Sequence, residues 1–266
     1  MDGIKVITIN LNKERNEIID SIKIIPISDT HIGDPLLDLK LLKATIKEIK
    51  DEPNTYTIIN GDILNTALKT SKSDVYRDTM TPDEQIDKAV EYFEEISDKI
   101  LVYHGGNHER RSLKDSGIDI SRIITQRLGI EERYAKDMWY LFLSFGKCRR
   151  GRPVTYQIAG YHGSAGGRKP GGKINRLKDM SAIMLADLYI MSHAHEKIIT
   201  DGLIFVPDEQ HHILVEKELN YLLTNSFLKY GDYGAAGGYS PSNTSITEAI
   251  LDGKIKRFVI SKVGKR

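Results

Sequence analysis

Cysteine is nearly absent from this chain: Cys148 is the one thiol among 266 residues. An intramolecular disulfide is thereby excluded, as is a zinc site built on thiolates. Nitrogen and oxygen are left as the donors for any metal. Long apolar runs are missing too, and no stretch approaches the ~20 residues of a membrane span. Residues 1–5 lack the basic start and apolar centre of a secretion signal. The expectation is a cytoplasmic protein with no membrane partner. Neither sign of charge dominates, with 38 Lys and Arg against 37 Asp and Glu, so any polyanion has to be met by a local patch. Repeats, heptads and low-complexity tracts are also lacking. A content of 40% hydrophobic and 28% charged residues suits an ordinary globular protein. With no linker to divide it, the chain is expected to form a single domain over residues 1–266.

What is present is one pattern written five times: a short apolar run that ends in Asp, His or Asn. Residues 100–104 stop at Gly105 and Gly106, and Asn107, His108 and Glu109 follow at once. Paired glycines end a strand. Residues 22–28 run into Asp29, Thr30 and His31, and residues 55–60 into Gly61 and Asp62. Residues 154–161 lead to His162 and Gly163, and residues 186–192 to His193, Ala194 and His195. Strands that end in ligand-type side chains present chemistry at the carboxyl edge of an open α/β sheet. Five such exits imply one shared site.

Between the exits the periodicity changes. Residues 36–50 carry Leu39, Leu42, Ile46 and Ile49 at helical spacing. Thr81, Pro82, Asp83 and Glu84 give a helix start with a cap, a first-turn proline and acids at the positive dipole end. Further helices are expected around residues 118–128 and 173–185. Residues 6–11 read as an outer strand that turns back onto the strand from Ile22, and residues 65–81 as an irregular insertion beside the site. Later strands are expected at residues 138–145, 198–206, 212–216, 221–227 and 256–260. Alternating β and α followed by mostly β gives an α/β fold: two mixed β-sheets packed face to face with helices on the outer faces, a four-layer α/β/β/α sandwich.

Carboxylate, imidazole and carboxamide are donors for Mn²⁺, Fe, Zn²⁺ and similar divalent ions. Asp29, His31, Asp62, Asn107, His108, His162, His193 and His195 are more than one ion needs. They suffice for two ions that share Asp62. Two metals about 3.5–4 Å apart activate water and hold the attacking and leaving oxygens of a phosphoryl group in line. Asp29 and His31 are two apart, as are His193 and His195, and in extended backbone each pair faces one side.

In residue type and order these motifs resemble the calcineurin-like metallophosphoesterases, whose pattern is Asp-x-His, Gly-Asp, Gly-Asn-His-Asp/Glu, His and Gly-His-x-His. The resemblance spans residues 29–195 and departs from the pattern at Ser192, where the family usually has glycine. It implies one metal on Asp29, His31, Asp62 and His195 and a second on Asp62, Asn107, His162 and His193. It also implies that His108 is the catalytic residue near the leaving oxygen, as general acid or transition-state stabiliser. The cofactors implied are two divalent metal ions, Mn first, with Fe, Zn, Ni or Mg as alternatives.

The expected function is a dinuclear-metal phosphoester hydrolase in which metal-bound hydroxide attacks phosphorus in line. Phosphodiesters, nucleic acid among them, are the favoured substrates. A phosphomonoesterase acting on a nucleotide or phosphoprotein is the alternative, and a non-catalytic scaffold on the same fold is a remote one. Arg110, Arg168, Lys169 and Lys173 are the candidate substrate contacts, the last three in a glycine-rich run that leaves His162. The basic run at residues 147–152 reads as an exposed hairpin turn, and the tyrosines of residues 230–239 as packing. His104 is read as a packed strand residue, and His211 and His212 as members of a solvated turn. Glu109 is read as orienting a neighbour.

Overall fold

A computed structural model of the chain describes residues 3–68, 75–164, 169–231, 235, 241 and 245–263. In chain order the strands and α-helices are β1 Ile4–Asn10, α1 Leu11–Arg15, β2 Ser21–Ile24, α2 Leu39–Asp51, β3 Thr55–Asn60 and α3 Pro82–Phe93. They continue with β4 Ile100–His104, α4 Glu109–Ser116, α5 Ile120–Arg127, β5 Tyr134–Ala135, β6 Met138–Phe145, β7 Val154–Tyr161 and α6 Pro170–Ile183. Last come β8 Leu188–Met191, β9 Ile198–Asp208, β10 Ile213–Leu223, β11 Ile246–Asp252 and β12 Phe258–Val263.

The strands form two six-stranded sheets. The first has the order β1-β6-β7-β8-β10-β9, in which β7, β8 and β10 are parallel to one another. The second has the order β12-β11-β2-β3-β4-β5, in which β2 to β5 are parallel and β11 and β12 antiparallel. Ile24, Tyr56, Ile58 and Val102 from the second sheet meet Trp139, Leu141, Ile158 and Ile190 from the first in one buried layer. Behind the second sheet, Leu42, Ile46, Ala89, Phe93 and Ile124 of α2, α3 and α5 cover Ile59 and Tyr103. Leu177 and Met180 of α6 cover Tyr189 and Tyr221 of the first sheet. This is the four-layer α/β/β/α sandwich.

β3 and β4, central in the second sheet, are covered on both faces and buried at every position. Parallel order aligns the carboxyl ends of β2, β3 and β4, and β7 and β8 end on the same side. Asn60 Nδ2 joins the sheets there, donating to Ser192 Oγ at 2.7 Å and to the Tyr161 carbonyl at 3.0 Å.

Several local expectations are corrected. β1 does not fold back on β2; it pairs parallel with β6 in the other sheet. Asn16, left-handed at φ 53°, ends the short α1 and redirects the chain toward β2. Residues 212–216 and 221–227 are one strand as far as Leu223, since the charged stretch between them alternates faces beside β9. α1, α4, β5 and β11 are additions to the expected elements. α6 begins at Pro170, inside the glycine-rich run. Arg168 and residues 232–234 and 236–240 lie outside the described residues, as do residues 69–74 of the expected insertion.

Candidate metal centre

Each acid of the centre divides its two oxygens between backbone and cavity. Asp29 Oδ2 accepts the His193 N–H at 3.2 Å, while Oδ1 faces His195 Nε2, also 3.2 Å away. Asp62 Oδ1 accepts the His108 N–H at 2.8 Å, while Oδ2 lies 3.0 Å from His162 Nε2 and 3.9 Å from His108 Nε2. One oxygen thus positions the next motif and the other points inward. The loops are laced further by the Asp29 N–H on the Gly61 carbonyl and the His31 N–H on the Asp62 carbonyl.

The backbone here is not extended. Asp29, His31, Asp62, His193 and His195 all have positive φ, between 47° and 70°. Asp, Asn and His are the side chains that tolerate this region best. Asp29 and His31 stay together, but the turns separate His193 from His195: His195 joins Asp29 and His31, while His193 joins Asp62 and His162.

The imidazoles are held from behind. His162 Nδ1 lies 2.8 Å from the Asn60 carbonyl. A carbonyl only accepts, so Nδ1 carries a proton, and Nε2 is the atom turned toward Asp62 Oδ2 and toward Asn107 Oδ1, 3.1 Å away. His31 Nε2 and His195 Nε2 are 3.4 Å apart. Asp29 Oδ1, His31 Nδ1 and His193 Nδ1 are buried without a hydrogen-bond partner. Acceptor atoms gathered this closely need positive charge among them, and buried polar atoms without partners are otherwise rare. The donor set fits divalent metal ions: Asp29, His31 and His195 on one side, and Asp62, His162, His193 and Asn107 on the other.

The protonation states point the same way. Burial works to raise both carboxyls, but His195 overrides it at Asp29 and His162 at Asp62, and both stay below the ordinary carboxylate range. Burial works to lower His162, yet Asp62 and Asp29 push it up to about 10. Burial and the neighbouring His108 hold His31 well below the usual imidazole value. A site whose acids stay ionised and whose central imidazole retains a proton is a site that demands positive charge.

No family model matches the chain, and no curated protein matches it. Among solved structures it is similar to the calcineurin-like phosphoesterase YfkN from Bacillus subtilis, at 10% identity over 91% of each chain, TM-score 0.39. Similarity extends to the nuclease MPE from Pseudomonas putida, at 14% identity over 90% of this chain and 87% of that one, TM-score 0.35. It extends also to Vps29 from Chaetomium thermophilum, at 13% identity over 91% and 93%, TM-score 0.39. The likeness is one of fold alone. At these identities and TM-scores the chemistry of the site rests on its own atoms.

Ser192, the departure from the calcineurin-like pattern, contributes a hydroxyl. It accepts from Asn60 Nδ2 and lies 2.8 Å from Thr224 Oγ1, which in turn is 2.7 Å from Ser28 Oγ. Trp139 Nε1 donates to Asn60 Oδ1 at 3.0 Å. Asn60, Thr224 and Trp139 are not apparent as site residues from sequence. A carboxamide closing an otherwise apolar strand was the one available signal for Asn60.

His108 stands where the His31 and Asp62 cluster opens, its ring centroid 4.4 Å from that of His31. Its Nδ1 lies 2.7 Å from the Asn65 carbonyl and therefore carries a proton, while Nε2 accepts from Arg111 Nη2 at 2.9 Å. Glu109 accepts the backbone N–H groups of Asp62, Leu64 and Gly106, so its carboxylate ties two ligand loops together. Arg110 turns away to Asp137 and the Lys136 carbonyl. Lys173 is buried against Glu196 and the Ala194 carbonyl, bracing the loop between His193 and His195. Lys169 is exposed at the start of α6. His104 donates from Nδ1 to the Ala135 carbonyl inside the sheet, and His211 pairs with Asp208 in an exposed turn. The basic turn at residues 147–152 joins β6 to β7 at the end of the sandwich away from the centre.

Proposed function

We propose that this chain, folded as one domain over residues 1–266, is a dinuclear-metal-dependent phosphoester hydrolase that favours phosphodiesters. The observation that carries the reading is the set of ligand-type side chains that converge at Asp29, His31, Asp62, Asn107, His162, His193 and His195, with Asp29, Asp62 and His162 oriented by backbone contacts. Asp29, His31, Asp62 and His195 would hold one cation, and Asp62, Asn107, His162 and His193 the other. Bound there, two divalent ions supply an acidified water and positive charge for the phosphoryl oxygens.

The chain's own contribution at the mouth is His108 with Arg111. Arg111 occupies Nε2 of His108, so the imidazole is an acceptor until the guanidinium turns to a substrate oxygen. The pair then acts as a unit, with Arg111 on phosphate and His108 Nε2 free to take a proton from solvent and pass it to the leaving oxygen. Among the described residues Arg111 is the cation that touches the cluster, since Arg110 and Lys173 are engaged with Asp137 and Glu196. One cation beyond the metals suits the single charge of a diester better than the dianion of a monoester.

The test pairs bis(p-nitrophenyl) phosphate with p-nitrophenyl phosphate on Mn²⁺-loaded protein, beside a His108→Ala variant. Preference for the diester, lost in the variant, is the expected result. Preference for the monoester contradicts the substrate assignment. Full metal occupancy with hydrolysis of neither returns the chain to the scaffold reading.

A further inference from the structure

At the end of the sandwich opposite the metal centre, two cationic turns meet. One is the β6–β7 turn. The other is the turn after β11, which runs antiparallel to β2 with Asp252 opposite Ser21 and so delivers residues 253–257 to the amino end of the parallel strands. The Lys147 N–H donates to the Gly253 carbonyl at 2.8 Å. A Cβ on Gly146 would lie 2.0 Å from that same oxygen, so the contact requires glycine. The Tyr156 hydroxyl fixes the second turn, 2.6 Å from the Asp252 carbonyl, and accepts the Arg257 N–H at 3.0 Å.

The first turn exposes Lys147, Arg149, Arg150 and Arg152, and the second exposes Lys254, Lys256 and Arg257. Lys254 lies 3.5 Å from Asp20 and Lys256 2.6 Å from Asp187. Arg257 acts on Asp252 through its charge, and among the described residues Lys147, Arg149, Arg150 and Arg152 are not in an ion pair. The nearest carboxylate in sequence, Asp252, is turned to the Lys254 and Ile255 N–H groups of its own turn. Several arginines elsewhere are matched: Arg110 with Asp137, Arg122 with Glu131, Arg127 with Asp87. Like charges gathered on two touching turns repel one another. In a chain of net charge +1 they form a local field rather than part of a general one. Guanidinium forks match phosphate oxygens in geometry as well as charge.

We propose that these two turns form a binding surface for the phosphate backbone of duplex nucleic acid, separate from the metal centre. The proposal rests on the phosphodiesterase reading for its choice of polymer. β7 has eight residues between the two ends, and at about 3.3 Å each it separates surface and centre by about 26 Å. That is about 8 base pairs of duplex at about 3.4 Å each, so a longer duplex laid along the sandwich reaches both and a shorter one does not.

The experiment measures binding of Mn²⁺-loaded protein to a fluorescent phosphorothioate duplex of about 20 base pairs, which resists cleavage, across a salt series. The parent is compared with the triple variant Arg149→Gln, Arg150→Gln, Arg152→Gln. The variant is expected to bind at least tenfold more weakly at about 0.1 M salt, with a log–log salt slope shallower by about 2.7. Its thermal midpoint and its rate on bis(p-nitrophenyl) phosphate should equal the parent's. Equal affinity and slope overturn the proposal, as does a parent that binds anionic-lipid vesicles but no duplex. A parent that binds duplex through these arginines yet hydrolyses no phosphodiester leaves the surface standing and removes the reading of the centre. Hydrolysis of the small diester with duplex binding unmoved in the variant does the reverse.

Discussion

Gly106 shows how little room the ligand loops leave. A Cβ there would lie 2.1 Å from Asp62 Oδ1 and 2.2 Å from the Asp62 nitrogen. Gly106→Ala should therefore displace the Asp62 loop at a cost of about 1–3 kcal/mol, as overpacking does, and weaken metal binding at least tenfold in calorimetry. Gly171→Ala, where nothing lies within 4 Å, is the control; equal metal affinity in both variants would refute the packing argument. A second expectation concerns protons. With His162 pushed up to about 10, the metal-free centre at pH 8 holds a proton that a cation must displace, so metal affinity should rise with pH up to about 10. Calorimetry in buffers of different ionisation enthalpy should show net proton release on Mn²⁺ binding; no dependence on buffer would count against the charge balance drawn here. The identity of these ligands was legible because Asp, His and Asn recur at strand exits. Their conformation was not. Spacing of two residues suggested extended backbone, whereas five of them adopt left-handed turns at about 1–3 kcal/mol each, a cost that only the surrounding hydrogen bonds reveal.

Among the elements, legibility followed the strength of local chemistry. The start of α3 reads directly from Thr81, Pro82 and Glu84, and both hydrogen bonds of its capping box form. α4 was invisible because Glu109–Ser116 carries one large apolar residue, Leu113, in an otherwise polar run; it forms with Glu109 anchored to three backbone N–H groups at its first turn. β1 was assigned the wrong partner because an apolar strand does not state which sheet it joins, and that choice falls to Asn12, bonded to Gly146 of the β6–β7 turn. β4 carries the testable consequence at this scale. Burial drives His104 at its end down to about 3, below the ordinary imidazole value of about 6.5. The fold keeps it neutral, so its contribution is intact above about pH 6.5. As pH falls from there toward about 3, the unfolded chain takes up a proton that the folded one refuses, and stability drops by about 1.4 kcal/mol per pH unit. His104→Asn should flatten the fall in denaturant midpoint between pH 6 and pH 4; an unchanged slope would show that the histidine is not held neutral.

For the molecule as a whole, the four-layer architecture was legible from the order of α and β segments and from the apolar strands that close packing on both faces requires. The seam between the sheets was not. It depends on Asn60, which binds Ser192, Tyr161 and Trp139 across the interface and turns its own carbonyl to His162. Through that residue the packing of the sandwich and the aim of a ligand become one matter, and the two sheets each supply part of the centre. The most direct measurement is metal content per chain after Mn²⁺ loading and desalting, for the parent and for Asp62→Asn. Two ions in the parent and a deficit at both sites in the variant are the predicted result, because the Asp62 carboxylate is shared. A parent that retains no metal, or a variant that still holds two ions, would contradict the account of the centre.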